Sequence, residues 1–264
     1  MGFDLTGRRV LVTGASSGIG AGLAVAFAKA GATVGICARR EDRLREVLAR
    51  CAAYAPSSRM WTTDLARPEE VDRLARVAIE ELGGVDVLVN NAGIPKRRHV
   101  TALDAATVEA VAWLDYISPV RLTLALLPGM LERGDGRIIN VSSVAATLSS
   151  PGEAAYCAAK AALAVWGEAM AVDLWDTGIK VLTVYPGVVD TDLFRLPDND
   201  PFTASVEAIT VDECVETVMD AFQKDEIQVY VPAWFADVAA RKAADVGAFL
   251  AGTAGYVRSQ KAGA

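Results

Sequence analysis

Tyr156 and Lys160 stand four residues apart in a helix-forming run, Glu153–Thr177. That spacing puts both side chains on one helix face, a turn apart. A free tyrosine titrates near pH ~10, too high for efficient proton transfer at neutral pH. An ammonium beside it favours the phenolate and lowers that value. Thirteen residues before Tyr156, the apolar run Arg137–Val141 ends in Ser142-Ser143, and a hydroxyl there can hold a substrate oxygen on which charge develops. Ser143, Tyr156 and Lys160 thus read as a proton-transfer group. Ser142 is the competing hydroxyl, and the thirteen-residue spacing favours Ser143. Taken singly, the tyrosine and lysine would be a surface pair and the serines a strand end.

A second constellation lies near the start of the chain. The run Arg8–Thr13 leads into Thr13-Gly14-Ala15-Ser16-Ser17-Gly18-Ile19-Gly20, and a helical pattern continues to Ala30. Glycines at a strand-to-helix turn let backbone N–H groups approach a pyrophosphate unobstructed, and the helix N-terminus adds the positive end of its dipole. A glycine turn without a ligand is the plainer alternative. The strand before, the helix after and the place at the first βα turn favour dinucleotide binding instead.

These groups need a scaffold, and the hydrophobic pattern supplies one. Arg8–Thr13, Ala32–Cys37, Val85–Val89, Arg137–Val141, Lys180–Val184 and Ile227–Val231 read as strands, with Arg59–Thr62 a shorter candidate. Ile19–Ala30, Arg43–Ala53, Pro68–Leu82, Asp104–Glu132, Glu153–Thr177 and Val211–Phe222 read as helices between them. Such alternation calls for an α/β fold: a doubly wound parallel sheet of about seven strands with helices on both faces. The strands are nearly all apolar, as strands buried on both faces should be. No repeat or linker divides the chain, so residues 1–264 are expected to form a single domain. Residues 187–210 are an irregular loop suited to substrate binding. The tail, 232–264, is helical in its first half, with frayed final residues from Ser259.

Composition excludes several classes. Acidic residues outnumber basic ones, 33 to 26, which argues against nucleic acid or an anionic membrane as partner. One histidine, His99, argues against a histidine-built metal site, and no metal is expected. Cys37, Cys51, Cys157 and Cys214 are scattered like reduced thiols, which points to the cytoplasm. No run reaches the 18 or so apolar residues of a membrane span, and the start shows no signal-peptide pattern. A myristoylation match at Gly2 and a glycosylation sequon at Asn140 are discounted, the latter because it ends a run that reads as buried.

The pattern Thr13-Gly14-x-x-x-Gly18-x-Gly20, Asn90-Asn91-Ala92-Gly93 after the fourth strand, Tyr156-Cys-Ala-Ala-Lys160 and Pro186-Gly187 occur in order. Together they resemble the short-chain dehydrogenase/reductase family in its compact single-domain branch, over residues 5 to about 231. The resemblance implies a Rossmann-type nicotinamide enzyme acting on carbonyls or alcohols, with hydride from the cofactor and the proton from Tyr156. It implies cofactor contacts at Gly14, Ser16, Ser17, Gly18, Ile19 and Gly20, with Lys160 on the nicotinamide ribose beside Tyr156. Asp64 and Leu65 would flank the adenine, and Asn91, Ala92 and Gly93 would line the middle. Pro186, Gly187, Val189 and Thr191 would hold the nicotinamide end.

The second strand decides between cofactors. Its end, about 20 positions beyond the glycine turn, meets the ribose 2′ position. There the chain reads Ala38-Arg39-Arg40 rather than an acid. Guanidinium groups bind a 2′-phosphate bidentately, so NADP(H) is expected in preference to NAD(H). Arg39 sits where the family places its phosphate contact, whereas Arg40 also reads as a solvated residue opening the next helix.

One departure stands out. The family's asparagine in the helix before the fifth strand, and the glycine after it, align with Asp115 and Ser118. An aspartate could keep the water chain toward Lys160 and favour its charged form, or be a local substitution of little consequence. Leu193, Phe194, Leu196 and Phe202, near Arg195, with Trp234 and Phe235 from the tail, suggest an apolar ketone or secondary alcohol; a core role for these aromatics is the alternative. The chain end lacks the short apolar close of acyl-carrier-protein reductases, which counts against that substrate. The two long helices carry apolar residues on more than one face, so a homodimer or homotetramer is expected. A catalytically weak NADP-binding regulator, or a lyase or epimerase, are the competing functions on such a fold.

Replacing Arg39 with aspartate should abolish the preference for NADPH over NADH, by about tenfold or more for a lost charge-assisted bond, read from the two dissociation constants. An unchanged preference would remove Arg39 from the 2′-phosphate site.

Overall fold

The computed structural model describes residues 2–201 and 206–262. Seven β-branched runs become β1 (Arg9–Thr13), β2 (Thr33–Ala38), β3 (Arg59–Thr62), β4 (Val87–Asn90), β5 (Gly136–Val141), β6 (Ile179–Pro186) and β7 (Gln228–Val231). The helices are α1 (Gly18–Lys29), α2 (Glu41–Ala52), α3 (Pro68–Leu82), α4 (Ala105–Ala112), α5 (Ser118–Arg133), α6 (Ala145–Leu148), α7 (Ala154–Asp173), α8 (Val211–Gln223), α9 (Phe235–Ala244) and α10 (Val246–Ala262). Every strand pairs in parallel, in the order β3-β2-β1-β4-β5-β6-β7. This is the Rossmann-type doubly wound sheet that the pattern called for.

Strand alternation sorts the core into two layers. Val10 and Val12 of β1 meet Leu23 and Phe27 of α1, Leu44 of α2, and Val218 and Phe222 of α8. Leu11, between them, faces the other layer, with Leu74 of α3, Leu122 and Leu126 of α5, and Met170 of α7. The chain runs outward from β1 through β2 to β3, then returns to β4 and builds the other way. That reversal opens a crevice beyond the strand ends of β1 and β4, where ligands bind in such sheets.

The expected helix before the fifth strand and the expected tail are corrected. The helix expected over Asp104–Glu132 is not uniform: a π-helical turn, Trp113–Ile117, separates α4 from α5. Such single π turns concentrate at functional sites, and Asp115 sits inside this one. The continuous helical stretch Ala105–Arg133 is long and apolar enough to cross a membrane. Its Leu122, Leu126 and Met130 are buried against the sheet and α3, so it is placed as a core helix. The tail is helical well beyond its first half, since α10 runs through Ser259 to Ala262; the last two residues, and Phe202 of the substrate segment, lie outside the described residues. Within residues 187–210 there is also local order: a 3-10 turn at Asp192–Arg195 and a bridge between Val189 and Ile209.

Phe27 is fully buried and meets Phe222 edge-on at 5.4 Å, tying α1 to α8. Phe27→Ala should cost about 3–5 kcal/mol, measured by urea denaturation, while a loss below ~1 kcal/mol would mean that this layer repacks.

Candidate active site

The first wall of the crevice is the glycine turn. Gly14 and Gly18 adopt φ of +66° and +56°, a region that disfavours side chains. Ser17 begins α1 without a side-chain cap, and no acidic residue occupies the first turn. Thr13 Oγ1 donates to Val89 O and accepts from the N–H groups of Asn91 and Ala92, at 2.9–3.1 Å. Asn91 Nδ2 donates back to Thr13 O at 2.9 Å. The ends of β1 and β4 are thereby locked together, and Thr13 is a positioning residue that the motif reading passed over.

Gly20 is corrected. It does not line the crevice; a Cβ there would meet Gly14 O at 2.7 Å and crowd the Asn91 amide. Its lack of a side chain serves packing of α1 under the turn.

Beyond β2, Arg39 is exposed and lines the crevice. Arg40 is no free surface residue. Its guanidinium donates to Ser16 Oγ at 3.0 Å and Ser17 Oγ at 2.6 Å, and pairs with Asp192 at 3.5 Å. Arg43 also reaches Asp192, at 3.0 Å. These contacts join the glycine turn to the segment after β6, where Thr191 lies against Gly18. Asp64 and Leu65 line the adjoining wall, and Leu65 O accepts from Trp113 Nε1 at 3.1 Å.

Ser143, Tyr156 and Lys160 meet at the strand ends of β5 and β6, all nine-tenths or more buried. Ser143 Oγ accepts from Ala145 N at 3.1 Å, so its own proton is free to point elsewhere. The competing Ser142 is committed: its hydroxyl donates to Lys160 O at 2.8 Å. Lys160 Nζ donates to Val141 O at 3.0 Å and lies 5.8 Å from the Tyr156 ring centre. Burial pushes the Tyr156 phenol well above its usual range, the Asp115 charge adds to this, and the Ser143 hydroxyl acts against it. Burial thus dominates the phenol, while Lys160 bonds Val141 O and faces Asp115.

Asp115 is fully buried behind this group rather than on the crevice wall. One carboxylate oxygen accepts from Ile94 N at 2.8 Å. The other lies 3.7 Å from Lys160 Nζ, an ion-pair distance without a hydrogen bond. Gly93 leaves the space between them, since a Cβ there would stand 3.1 Å from both charged atoms. Burial raises the Asp115 carboxyl to about 6, against the opposing pull of Lys160 and the Ile94 N–H.

Together these walls enclose a cavity of about 580 Å³. Apart from Gly20 and Asp115, every residue assigned above to cofactor or catalysis lines it, including Ile19, Ala92, Gly93, Pro186, Gly187 and Val189. Leu193, Phe194, Leu196 and Phe235 line its outer part. Trp234 does not; it is half-exposed and stacks on Phe235 at 3.8 Å. Arg195 instead pairs with Asp190. The sequence reading missed Phe249, Thr253 and Val257, which bring one stripe of α10 to the cavity. Their i, i+4, i+8 spacing was the available signal. It also missed Arg97 and Glu153, two buried charged residues on the same wall.

Known proteins share this fold and sequence pattern. The family model described as short chain dehydrogenase matches residues 8–200. A fatty acyl-CoA reductase of Mycobacterium tuberculosis is 36% identical over 231 residues, covering 86% of this chain and 77% of its own. A 3-oxoacyl-(acyl-carrier-protein) reductase of Vibrio cholerae is 32% identical over 206 residues, covering 78% of this chain and 83% of its own. Among solved structures, a short-chain dehydrogenase from Sphingobium yanoikuyae in complex with NADPH aligns with a TM-score of 0.80 and 28% identity, covering 91% of this chain and 95% of that one.

The raised carboxyl of Asp115 gives a signed prediction. The folded state holds that proton more tightly than the unfolded chain, so its contribution is full below pH ~4 and is lost as pH rises through about 6. Asp115→Asn should therefore gain about 1–3 kcal/mol more at pH 8 than at pH 4, measured by urea denaturation, and should lose any limb near pH 6 in kcat/KM. Equal gains with an unaltered pH–rate profile would show that Asp115 has no special part.

Proposed function

The chain belongs to the short-chain dehydrogenase family, and from that premise we propose an oxidoreductase that moves a hydride between NADP(H) and an apolar ketone or its secondary alcohol. The observation that carries the reading is the convergence of Ser143, Tyr156 and Lys160 on the cavity that the glycine turn opens. The residues present fit a dinucleotide. The uncapped N-terminus of α1 and the two positive-φ glycines suit a pyrophosphate. Arg39, with Arg40 held by Ser16 and Ser17, suits a 2′-phosphate, whereas NAD(H) would leave that charge unmatched. Asp64 and Leu65 would flank the adenine. Asn91, Ala92 and Gly93 would line the middle, and Pro186, Gly187, Val189 and Thr191 the nicotinamide end.

Bound there, the cofactor supplies or accepts the hydride; the protein handles the proton. In reduction Tyr156, held protonated by its burial, donates to the carbonyl oxygen. Ser143, fixed by Ala145 N, donates a second hydrogen bond to that oxygen as charge grows on it. Lys160 places its ammonium near the ring, where it stabilises the phenolate left behind. Oxidation reverses the steps.

The outer lining supports an apolar substrate body, and the two relatives named above act on carbonyls that belong to acyl chains. We further take residues 1–264 as one functional unit in the cytoplasm, consistent with four free cysteines. A homodimer or homotetramer is supported by exposed apolar residues at seven-residue spacing: Ile117 of the π turn with Leu124 and Leu131 of α5, and Val165 and Val172 on α7.

The buried Asp115 beside Lys160 favours the second reading, a catalytically weak NADP-binding regulator. Tyr156→Phe separates the two: turnover of ketones should fall by about 10²–10⁴-fold with NADPH affinity retained. Wild type that binds NADPH tightly yet turns over no ketone or alcohol would favour the regulator.

A further inference from the structure

The cavity carries two buried charged side chains that the proposed chemistry does not use. Glu153 lies one helical turn before Tyr156, is 7% exposed and lines the cavity. It stands at the N-cap of α7, yet its side chain makes no capping hydrogen bond. Burial raises its carboxyl, against the charge of Arg97 and a hydrogen bond with Ser150. Arg97 is 5% exposed on the same wall. Its Nε donates to Asp200 O and its Nη2 to Phe194 O, both at 3.0 Å, which pins the substrate segment. Its Nη1 is buried with no hydrogen-bond partner among the described residues.

A carboxylate in this position is costly against a wholly apolar ligand. Filling the cavity displaces water, and the carboxylate acceptor sites that Ser150 does not fill then gain from a donor on the ligand. A site built to receive an N–H or O–H also rejects the analogue that lacks it far more strongly than an apolar pocket rejects a missing methylene. We infer that Glu153, with Arg97 as its counter-charge, is a specificity subsite that accepts a hydrogen bond from a hydroxyl or amide N–H of the substrate. Side chains at i and i+3 on a helix are about 5–6 Å apart, so that donor lies a few bonds from the carbonyl that faces Tyr156. The substrate class is then an apolar-bodied ketone, or its alcohol, bearing a second hydrogen-bond donor near the reacting carbon. This rests on the oxidoreductase reading and sharpens it.

The test uses the full-length protein loaded with NADP(H), and octan-2-one beside isomers carrying one hydroxyl at successive carbons. Dissociation constants come from calorimetry on the NADP⁺-loaded protein, and kcat/KM from NADPH oxidation. At least one hydroxylated isomer should bind and react about tenfold or more better than octan-2-one. Glu153→Gln should shrink that ratio severalfold, and Glu153→Leu should bring it near one. If no isomer is preferred, or if the preference survives Glu153→Leu, the subsite is wrong. Equal losses for all ketones together with a lower Tm would make Glu153 a structural residue and overturn it as well. A binding preference that depends on Glu153 without turnover of any ketone would sustain the subsite while refuting the oxidoreductase.

Discussion

A buried ammonium sets the terms for this structure. Lys160 is 4% exposed, and a charge taken from water needs both hydrogen bonds and a counter-charge. The last carbonyl of β5 accepts one of its protons, and Asp115 supplies the opposite charge at 3.7 Å. Asp115 reaches that place from a π-helical turn and is held by the N–H of Ile94, just after β4. Gly93 leaves room for the two charges to approach, since a Cβ there would crowd both. One cation therefore couples β4, β5, the helices α4 and α5, and α7, which carries Tyr156. The active-site geometry is the solution to that burial problem, and the sheet order is what brings these five elements within reach.

Electrostatics then divide the cavity in two. At the glycine turn the protein offers a helix N-terminus and arginines, with no acid in the first turn of α1. At the catalytic end lie the phenol of Tyr156 and two buried carboxyls, Asp115 and Glu153, and both carboxyl charges raise the phenol further. Such a phenol holds its proton, and it gives one up only where positive charge or hydrogen bonding meets the phenolate oxygen left behind. The outer wall is secured separately. Lys96 and Arg98 both pair with Asp198, at 2.5 and 2.7 Å, while Arg97 binds the backbone on either side. The basic run after β4 thus clasps the segment after β6 across the mouth of the site.

Much of this was legible because it is local. Glycines between a strand and a helix, and Tyr156 and Lys160 at one-turn spacing, announce their geometry within a few residues. The strands were legible because their apolar runs are short and bounded. Periodicity says nothing, however, about a π turn, since the apolar pattern continues through Trp113–Ile117 and conceals the bulge that delivers Asp115. The glycine motif does not distinguish Gly14, which faces the crevice, from Gly20, which only packs. Arg40 reads as solvated because nothing in sequence shows its guanidinium turning back onto Ser16 and Ser17. Arg97 lies in a basic run, Lys96-Arg97-Arg98-His99, that looks like surface, and Glu153 looks like an ordinary helix start. Their burial arises from the segment after β6 and the cavity wall, both distant in sequence.

The central claim is that this site moves a hydride to a carbon while Tyr156 moves the proton. The most direct measurement supplies NADPH deuterated at the transferable position of the nicotinamide and a panel of ketones, and locates the label by NMR. The account predicts an alcohol with one deuterium on its carbinol carbon, and a solvent-derived proton on oxygen. Tight NADPH binding without any deuterated alcohol, or a product whose new C–H bond carries no label, would contradict it.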